Sequence, residues 1–461
     1  MKVIAVFDVG KTNKKLFLFN EQYKIVFERS ARFLETTDED GDPCENLESL
    51  RLSVFDSLHE VFRNPQYEVK AINFSSYGAS FVYVDEIGKP LAPLYNYLKP
   101  YPPRLKEKFY NTYGGEERIA FETASPILGN LNSGMQLYRL KYEQPAIFEK
   151  IAYALHLPQY LSFLISGQFY SDITSIGCHT GLWDFAKNKY HAWVYAEGLA
   201  NKLAPIVPSD QVFPATFPGS TYTVGAGLHD SSAALIPYLV SFHEPFILIS
   251  TGTWSISLHP FNNKPLTAEE LAADCLCYMH YQGKPVKASR IFAGHEYEEQ
   301  VKRIAQHFNQ SVGKYRTLAY QPALHQKLRE SVAHIPLEKG ATESVFSKRE
   351  LSDFADDTTA YHQLMADLVA LQVLATNRVL KDKPVNRIFV DGGFSKNAVF
   401  MNMLAAAYPS MEIYAASMAQ ATAMGAALAI HSYWNSKPLP NDLIELKYYA
   451  NSGQVIKLER S

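Results

Sequence analysis

The residues best suited to chemistry lie in short stretches where carboxylates, glycines and hydroxyls meet between apolar runs. Residues 5–15 read AVFDVGKTNKK, bringing Asp8, Gly10, Thr12, Asn13 and Lys15 within eight positions. Gly10-Lys11-Thr12 matches the end of the phosphate loop G-x-x-x-x-G-K-[ST]. However, Ala5 stands at the first glycine position, and an alternating apolar stretch, not a helix, follows Thr12. The stretch therefore reads as a tight β-hairpin with DVGKTN at its turn. Such a tip can place a carboxylate, bare backbone and small polar side chains around a phosphate and a divalent cation, with Lys15 adding positive charge. The same residue types also favour plain surface turns.

Three further stretches are of the same kind. Thr251-Gly252-Thr253, in STGTWS, offers a glycine backbone and hydroxyl donors to an anion, or forms a simple hairpin turn. In VGAGLHDSSAALI, His229-Asp230 precedes a helical run. Asp230 has the position of an N-cap, and the helix dipole there favours a carboxylate anion that could accept a proton from an alcohol. Asp391-Gly392-Gly393, with Ser395 and Asn397, ends a strand on bare backbone that could face a flat ligand or merely turn into a helix. Ser417-Met418-Ala419-Gln420 has capping-box spacing, and Ala419, Ala423, Ala426 and Ala427 suggest close helix packing.

The elements that must carry these residues are legible from periodicity. Apolar strands open both halves: VIAVFDVGKTNKKLFLF parallels PFILISTGTWSISLHPF, aligning Gly10 with Gly252 and Asp8 with Ser250. This pseudo-repeat argues for two related lobes, with a boundary near residues 236–243. YKIVFER adds a strand. Leu47, Leu50, Val54, Leu58 and Val61 mark an amphipathic helix, as do Leu364, Leu368, Leu371 and Ala375. SFVYVDEIGKPL reads as another hairpin, 93–103 as irregular, and 105–200 as mostly helical. The stretches from 386 and from 411 each read strand, turn, helix.

Bulk properties narrow the class. The 461 residues exceed one ordinary core, and 47% hydrophobic with 20% charged residues suits a water-soluble globular chain. A net charge of −3 gives no basic field for nucleic acid or membrane lipid. Cys44, Cys178, Cys275 and Cys277 fit neither a zinc site nor a disulfide framework, so a reducing cytoplasm is expected. No signal peptide and no transmembrane run is read.

The ordered set DVGKTN, SYGASFVYVDEIGKPL, GCHTGLWD, GLHDSSAA, STGTWS, DGGFSKN and AQATAMGAALA resembles the FGGY family of carbohydrate kinases over about residues 3–432. The resemblance implies an α/β protein of two ribonuclease H-like lobes, as in actin, hexokinase and the 70-kDa heat-shock chaperones, with an active-site cleft between them. Residues 1–240 would bind sugar and carry the base, and residues 241–461 would bind nucleotide. It also implies transfer of the γ-phosphoryl group of ATP, with Mg²⁺, to the C1 hydroxyl of a ketose such as L-rhamnulose or L-fuculose. The alternatives are another ketose or polyol (xylulose, ribulose or glycerol type), or a non-catalytic, actin-like ATP-binding sugar sensor. By position, Asp230 resembles the catalytic base and Asp8 the magnesium-linked carboxylate. Gly10, Thr12, Asn13 and Lys15 fall on the first phosphate loop and Gly252 and Thr253 on the second. Gly392, Gly393 and Asn397 fall on the adenosine side, and Gly294 beside the nucleotide. Gly78, Ser80, His229 and Asp230 fall where the family contacts sugar. A homodimer is the family-level expectation.

The departures concern the sugar more than the chemistry. Tyr95-Asn96-Tyr97 stands where related kinases tend to carry Tyr-Arg-Asp. Ser80 stands where rhamnulokinase-like sequences carry Asp. Lys11 replaces Thr or Ala, and Gln420 replaces Glu.

Overall fold

The computed structural model describes residues 1–450 except 12, 218–220, 333–334, 339, 382 and 419. Thr12 and Ala419, both singled out above, therefore lie outside the described residues. The chain forms two compact units. The first comprises Met1–Ser241, Cys277–Pro285 and Ala419–Leu443; the second comprises Phe242–Leu276, Val286–Met418 and Ile444–Ser461. The single division expected at 240/241 falls one residue before the end of the first segment, Ser241. The two later returns to the first unit differ from it, because long-range packing, not local composition, recruits them.

The first unit is built on a mixed seven-stranded sheet. Lys2–Val9 and Lys14–Asn20 form the expected hairpin, with Asp8 opposite Lys15, and Ile25–Ala31 extends it antiparallel. On its other side, Lys2–Val9 runs parallel to Glu68–Ser76, which in turn pairs in parallel with Thr223–Gly225 and Leu228–His229. Lys2–Val9 is apolar on both sides (Val3, Ile4, Ala5 and Val6 are fully buried), as a strand covered on both faces requires. The helix Leu47–Arg63 buries Leu50, Val54, Leu58 and Val61, the face read from the sequence, and Asn46 caps it by accepting from Ser49 N–H.

SFVYVDEIGKPL does not form the expected two-stranded ladder. Phe81–Val84 pairs instead with Tyr153–His156. The return past the Asp85–Lys89 turn makes only a bridge between Val84 and Pro90. Pro90 and Pro93 lack the N–H groups a ladder needs.

The second unit repeats the arrangement. Phe246–Thr251 and Ser255–His259 form a hairpin, and the first of these strands runs parallel to Arg387–Gly392, which runs parallel to Glu412–Ser417. The helix Asp357–Leu380 buries Leu364, Leu368, Leu371 and Ala375 completely in this unit's core. The expected capping box at 417–420 is not formed. Gln420 is itself the N-cap of the helix Ala421–Ala429, in a left-handed conformation with φ of 57° and no side-chain cap.

Among the described residues, Asp38, Asp40 and Asp42 have the spacing of a metal cage. Its centre is taken by the Lys99 ammonium, 2.6, 2.7 and 3.1 Å from the three carboxylates, so the loop already carries its own cation. No described helix is long and apolar enough to cross a membrane.

Candidate active site

In the first unit, the site grows from the carboxyl ends of the parallel strands, where α/β sheets place their ligands. Asp8 lies opposite Ser75 in the neighbouring strand, and Ser75 lies opposite Leu228 on its far side. The backbone of residue 228 is thus two strand spacings, about 10 Å, from that of Asp8. Two residues further on, Asp230 opens the helix Asp230–Ser241. It is the first helical residue and not the N-cap expected above, because the strand Leu228–His229 feeds the helix with no intervening linker. Its Oδ1 accepts from Ser231 N–H at 2.6 Å and lies 3.3 Å from His229 Nε2. The Asp230 side chain is 32% exposed and can be reached by a ligand.

Burial pushes the Asp8 carboxyl up to about 6. A hydrogen bond from Thr422 pulls it down, the charge of Asp230 pushes it up, and Lys15 pulls it down. Thr422 Oγ1 donates to Asp8 Oδ2 at 2.7 Å from the first turn of Ala421–Ala429. That helix packs on Asp230–Ser241 at Gly425, where an added Cβ would lie 1.8 Å from the Ala233 carbonyl oxygen. Glycine is required there for the approach of two backbones, one carrying Asp230 and the other Thr422. Thr422 was not singled out from the sequence, although its place ahead of the small-residue run TAMGAALA was visible.

The hairpin tip is closed by Gly10 N–H donating to Asn13 O at 2.9 Å. The Asn13 side chain accepts from Arg32 Nε, and Lys15 Nζ pairs with Glu28 at 2.8 Å. The buried lysine at the tip is Lys14, which bonds Glu45 at 2.6 Å and donates to Lys11 O.

Around His229, an added Cβ on Gly78 would come within 2.7 Å of the imidazole Cδ2, so Gly78 gives the ring its room. Burial holds His229 below its ordinary value, opposed by the Asp230 charge. His179 and Tyr278 stand 6.0 and 5.8 Å from it, ring to ring. Tyr97, raised first by burial and then by Asp230, packs on Tyr77 at 5.7 Å. Sequence reasoning passed over His179, Tyr278, Tyr77 and Lys14. Ser80 is 1% exposed and donates to Tyr95 O, so its hydroxyl serves the chain and acts on a ligand only through its neighbours.

In the second unit, Gly252, Thr253, Gly294, Gly392 and Gly393 come together. Gly252 N–H donates to Trp254 O, and His295 N–H donates to Thr253 O. An added Cβ on Gly294 would lie 1.9 Å from Gly252 O, and one on Gly392 would lie 1.8 Å from Thr251 O. Thr251 accepts Gly393 N–H on its carbonyl and Phe394 N–H on its hydroxyl. The result is backbone without side chains at two adjoining strand ends, with the N–H groups of Gly252, Gly392 and Gly393 each donating within the chain. Asn397 caps the helix Ala398–Ala407 by accepting from Phe400 N–H, and its amide donates to Tyr361 Oη at 2.7 Å. Trp254, 40% exposed beside this turn, was not singled out from the sequence.

Gly392 has φ of +90°, so Gly392→Ala meets both backbone strain, about 1–3 kcal/mol, and a clash. Chemical denaturation should show the second unit unfolding at lower denaturant. An unchanged midpoint would contradict the geometry.

The first unit thus carries two carboxylates near the ends of its parallel strands and the second a glycine-lined turn, and comparison with known proteins gives the family. Residues 3–236 match the N-terminal domain of the FGGY family of carbohydrate kinases, and residues 243–438 match its C-terminal domain. The chain belongs to that family. It is 26% identical over 184 residues to a rhamnulokinase of Halalkalibacterium halodurans, covering 38% of this chain and 39% of that one. It is 22% identical over 269 residues to an L-fuculokinase of Escherichia coli, covering 55% and 56%. These alignments thus span about two-fifths to somewhat over half of the relatives' lengths. In fold, it resembles a carbohydrate kinase from Novosphingobium aromaticivorans, with a TM-score of 0.80, 23% identity and coverage of 97% and 94%. It likewise resembles a glycerol kinase of Plasmodium falciparum with ADP, at 0.71, 16%, and coverage of 94% and 90%.

Proposed function

We propose that this protein transfers the γ-phosphoryl group of ATP to the C1 hydroxyl of a ketose such as L-rhamnulose or L-fuculose. The observation that carries the reading is the pair Asp8 and Asp230, on either side of the strand Glu68–Ser76 and close enough for the charge of Asp230 to raise the Asp8 carboxyl. The names of the relatives favour a 6-deoxyketose over other sugars.

Phosphoryl transfer needs positioning and charge neutralisation more than covalent help. Asp230, partly exposed beside the buried ring of His229, accepts the proton of the sugar hydroxyl as that oxygen attacks the γ-phosphorus. His229, Gly78 and Tyr97 shape the sugar side. Gly252, Thr253, Gly294, Gly392 and Gly393 present backbone to the nucleotide, and transfer demands that its terminal phosphate be brought to the sugar oxygen. The donor set fits Mg²⁺, because Asp8 is a carboxyl pressed by a second negative charge and would hold the ion. When bound, the ion would neutralise phosphate charge. The four buried cysteines accord with a cytoplasmic setting.

A coupled assay of ADP release across a panel of ketoses and polyols tests the reading. Turnover is expected with L-rhamnulose or L-fuculose. Turnover with xylulose, ribulose or glycerol alone would overturn the sugar, and retained ATP binding with silence across the panel would overturn the enzyme.

A further inference from the structure

The strand that delivers the base is only two residues long, Leu228–His229, and one edge of it pairs with Glu68–Ser76. A two-residue strand is a weak support for a carboxylate that must meet its proton within a few tenths of an ångström. Just upstream, Gly227 N–H donates to Asn73 Oδ1 at 3.1 Å, and Gln159 Nε2 donates to Gly227 O at 2.8 Å. At His229 itself, the backbone N–H donates to Thr174 Oγ1 at 3.0 Å. Thr174 is fully buried, and its hydroxyl also bonds Asp172 Oδ1. A hydroxyl has one proton. The Thr174 hydroxyl donates it in a hydrogen bond to Asp172 Oδ1, which turns the oxygen lone pairs toward the His229 N–H. Asp172 is 0% exposed and is held in turn by Thr174 N–H on Oδ1, at 2.9 Å, and by Ser209 Oγ on Oδ2.

We propose that Asp172 and Thr174 are positioning residues for the phosphoryl transfer: the chain Ser209–Asp172–Thr174 fixes the backbone of His229, and through it the carboxylate of Asp230. The proposal rests on Asp230 being the base. Asp172 also caps the short helix Ile173–Ile176, a purely structural task that the test must separate.

The test compares Thr174→Val, Thr174→Ser and Ser209→Ala in the full-length protein. It uses steady-state kinetics with ATP and the ketose, thermal melting, and hydrogen exchange at the His229 amide. Thr174→Val removes the hydroxyl at nearly constant volume. Its kcat should fall about 10–100-fold, with the KM for ATP within about twofold of wild type and the His229 amide exchanging faster. Thr174→Ser should restore both kcat and amide protection. Should Thr174→Val not fold, Ser209→Ala decides, with several-fold loss of kcat at unchanged KM for ATP expected. Wild-type kcat per folded molecule, accompanied only by a lower melting temperature, would reduce the chain to a helix cap and overturn the proposal. So would unchanged protection of the His229 amide. Hydrogen exchange does not depend on turnover. A protein without ketose kinase activity would refute the functional reading and, separately, show whether the hydrogen-bonded chain holds the backbone.

Discussion

Asp230→Asn is expected to lower kcat by about 10²–10⁴-fold while leaving the fold intact. The carboxamide is close to isosteric with the carboxylate. It keeps an oxygen to accept from Ser231 N–H, and the helix Asp230–Ser241 is anchored independently by buried Ser232, Ala233, Leu235, Ile236 and Tyr238. It loses the ability to take a proton from the sugar. Melting temperature and ATP binding should therefore stay near wild type while ketose-dependent ADP release collapses. The charge of Asp230 also raises the Asp8 carboxyl, so the substitution should bring Asp8 down from about 6. A variant that turns over ketose at the wild-type rate would remove Asp230 from the chemistry.

Asp8→Asn should separate activity from stability, in opposite directions. If Asp8 holds the metal, the variant should need about 10–100-fold more Mg²⁺ for half-maximal turnover. Without metal, the sign for stability reverses. The folded protein holds the Asp8 proton up to about pH 6, whereas an unfolded chain releases it near 3.8. The stabilising excess of bound protons is complete below the lower value and lost as pH rises through the higher one. Asparagine mimics the neutral form at every pH. In chelator at pH 7.5, the variant should be more resistant to urea than wild type, by no more than about 3 kcal/mol, and the gain should fade between pH 6 and 4. An unchanged magnesium response would remove Asp8 from metal binding. Lower stability in chelator at pH 7.5 would contradict the burial penalty.

Both variants act on residues that the sequence exposed well. Asp8 lies near the end of an apolar strand, Asp230 stands just ahead of a helical run, and the hairpins around Gly10 and Gly252 follow from alternation on either side of a turn. The helix Leu47–Arg63 was legible because it buries one face, giving a period that a linear reading detects; Asp357–Leu380 is buried on nearly all sides, and the spacing of Leu364, Leu368, Leu371 and Ala375 showed only part of its buried surface. What stayed hidden depends on partners distant in the chain. Thr422 reaches Asp8 from the far end of the sequence, and Tyr278 reaches His229 only because residues 277–285 return to the first unit. The buried Lys14 stayed hidden for a related reason. At a hairpin tip, alternation does not say which of two successive lysines faces inward. Lys14 is the buried one, while Lys15 reaches Glu28 on the adjacent strand. The acidic run at 38–42 looks metal-binding until Lys99, from a remote loop, fills it.

The most direct measurement is ³¹P NMR of the protein with ATP and Mg²⁺, with L-rhamnulose or L-fuculose either present or absent. A sugar 1-phosphate resonance should grow in step with ADP when ketose is present, and ATP should stay intact when it is absent. Conversion of ATP to inorganic phosphate at the same rate with or without ketose, and no sugar phosphate signal, would contradict the proposed transfer.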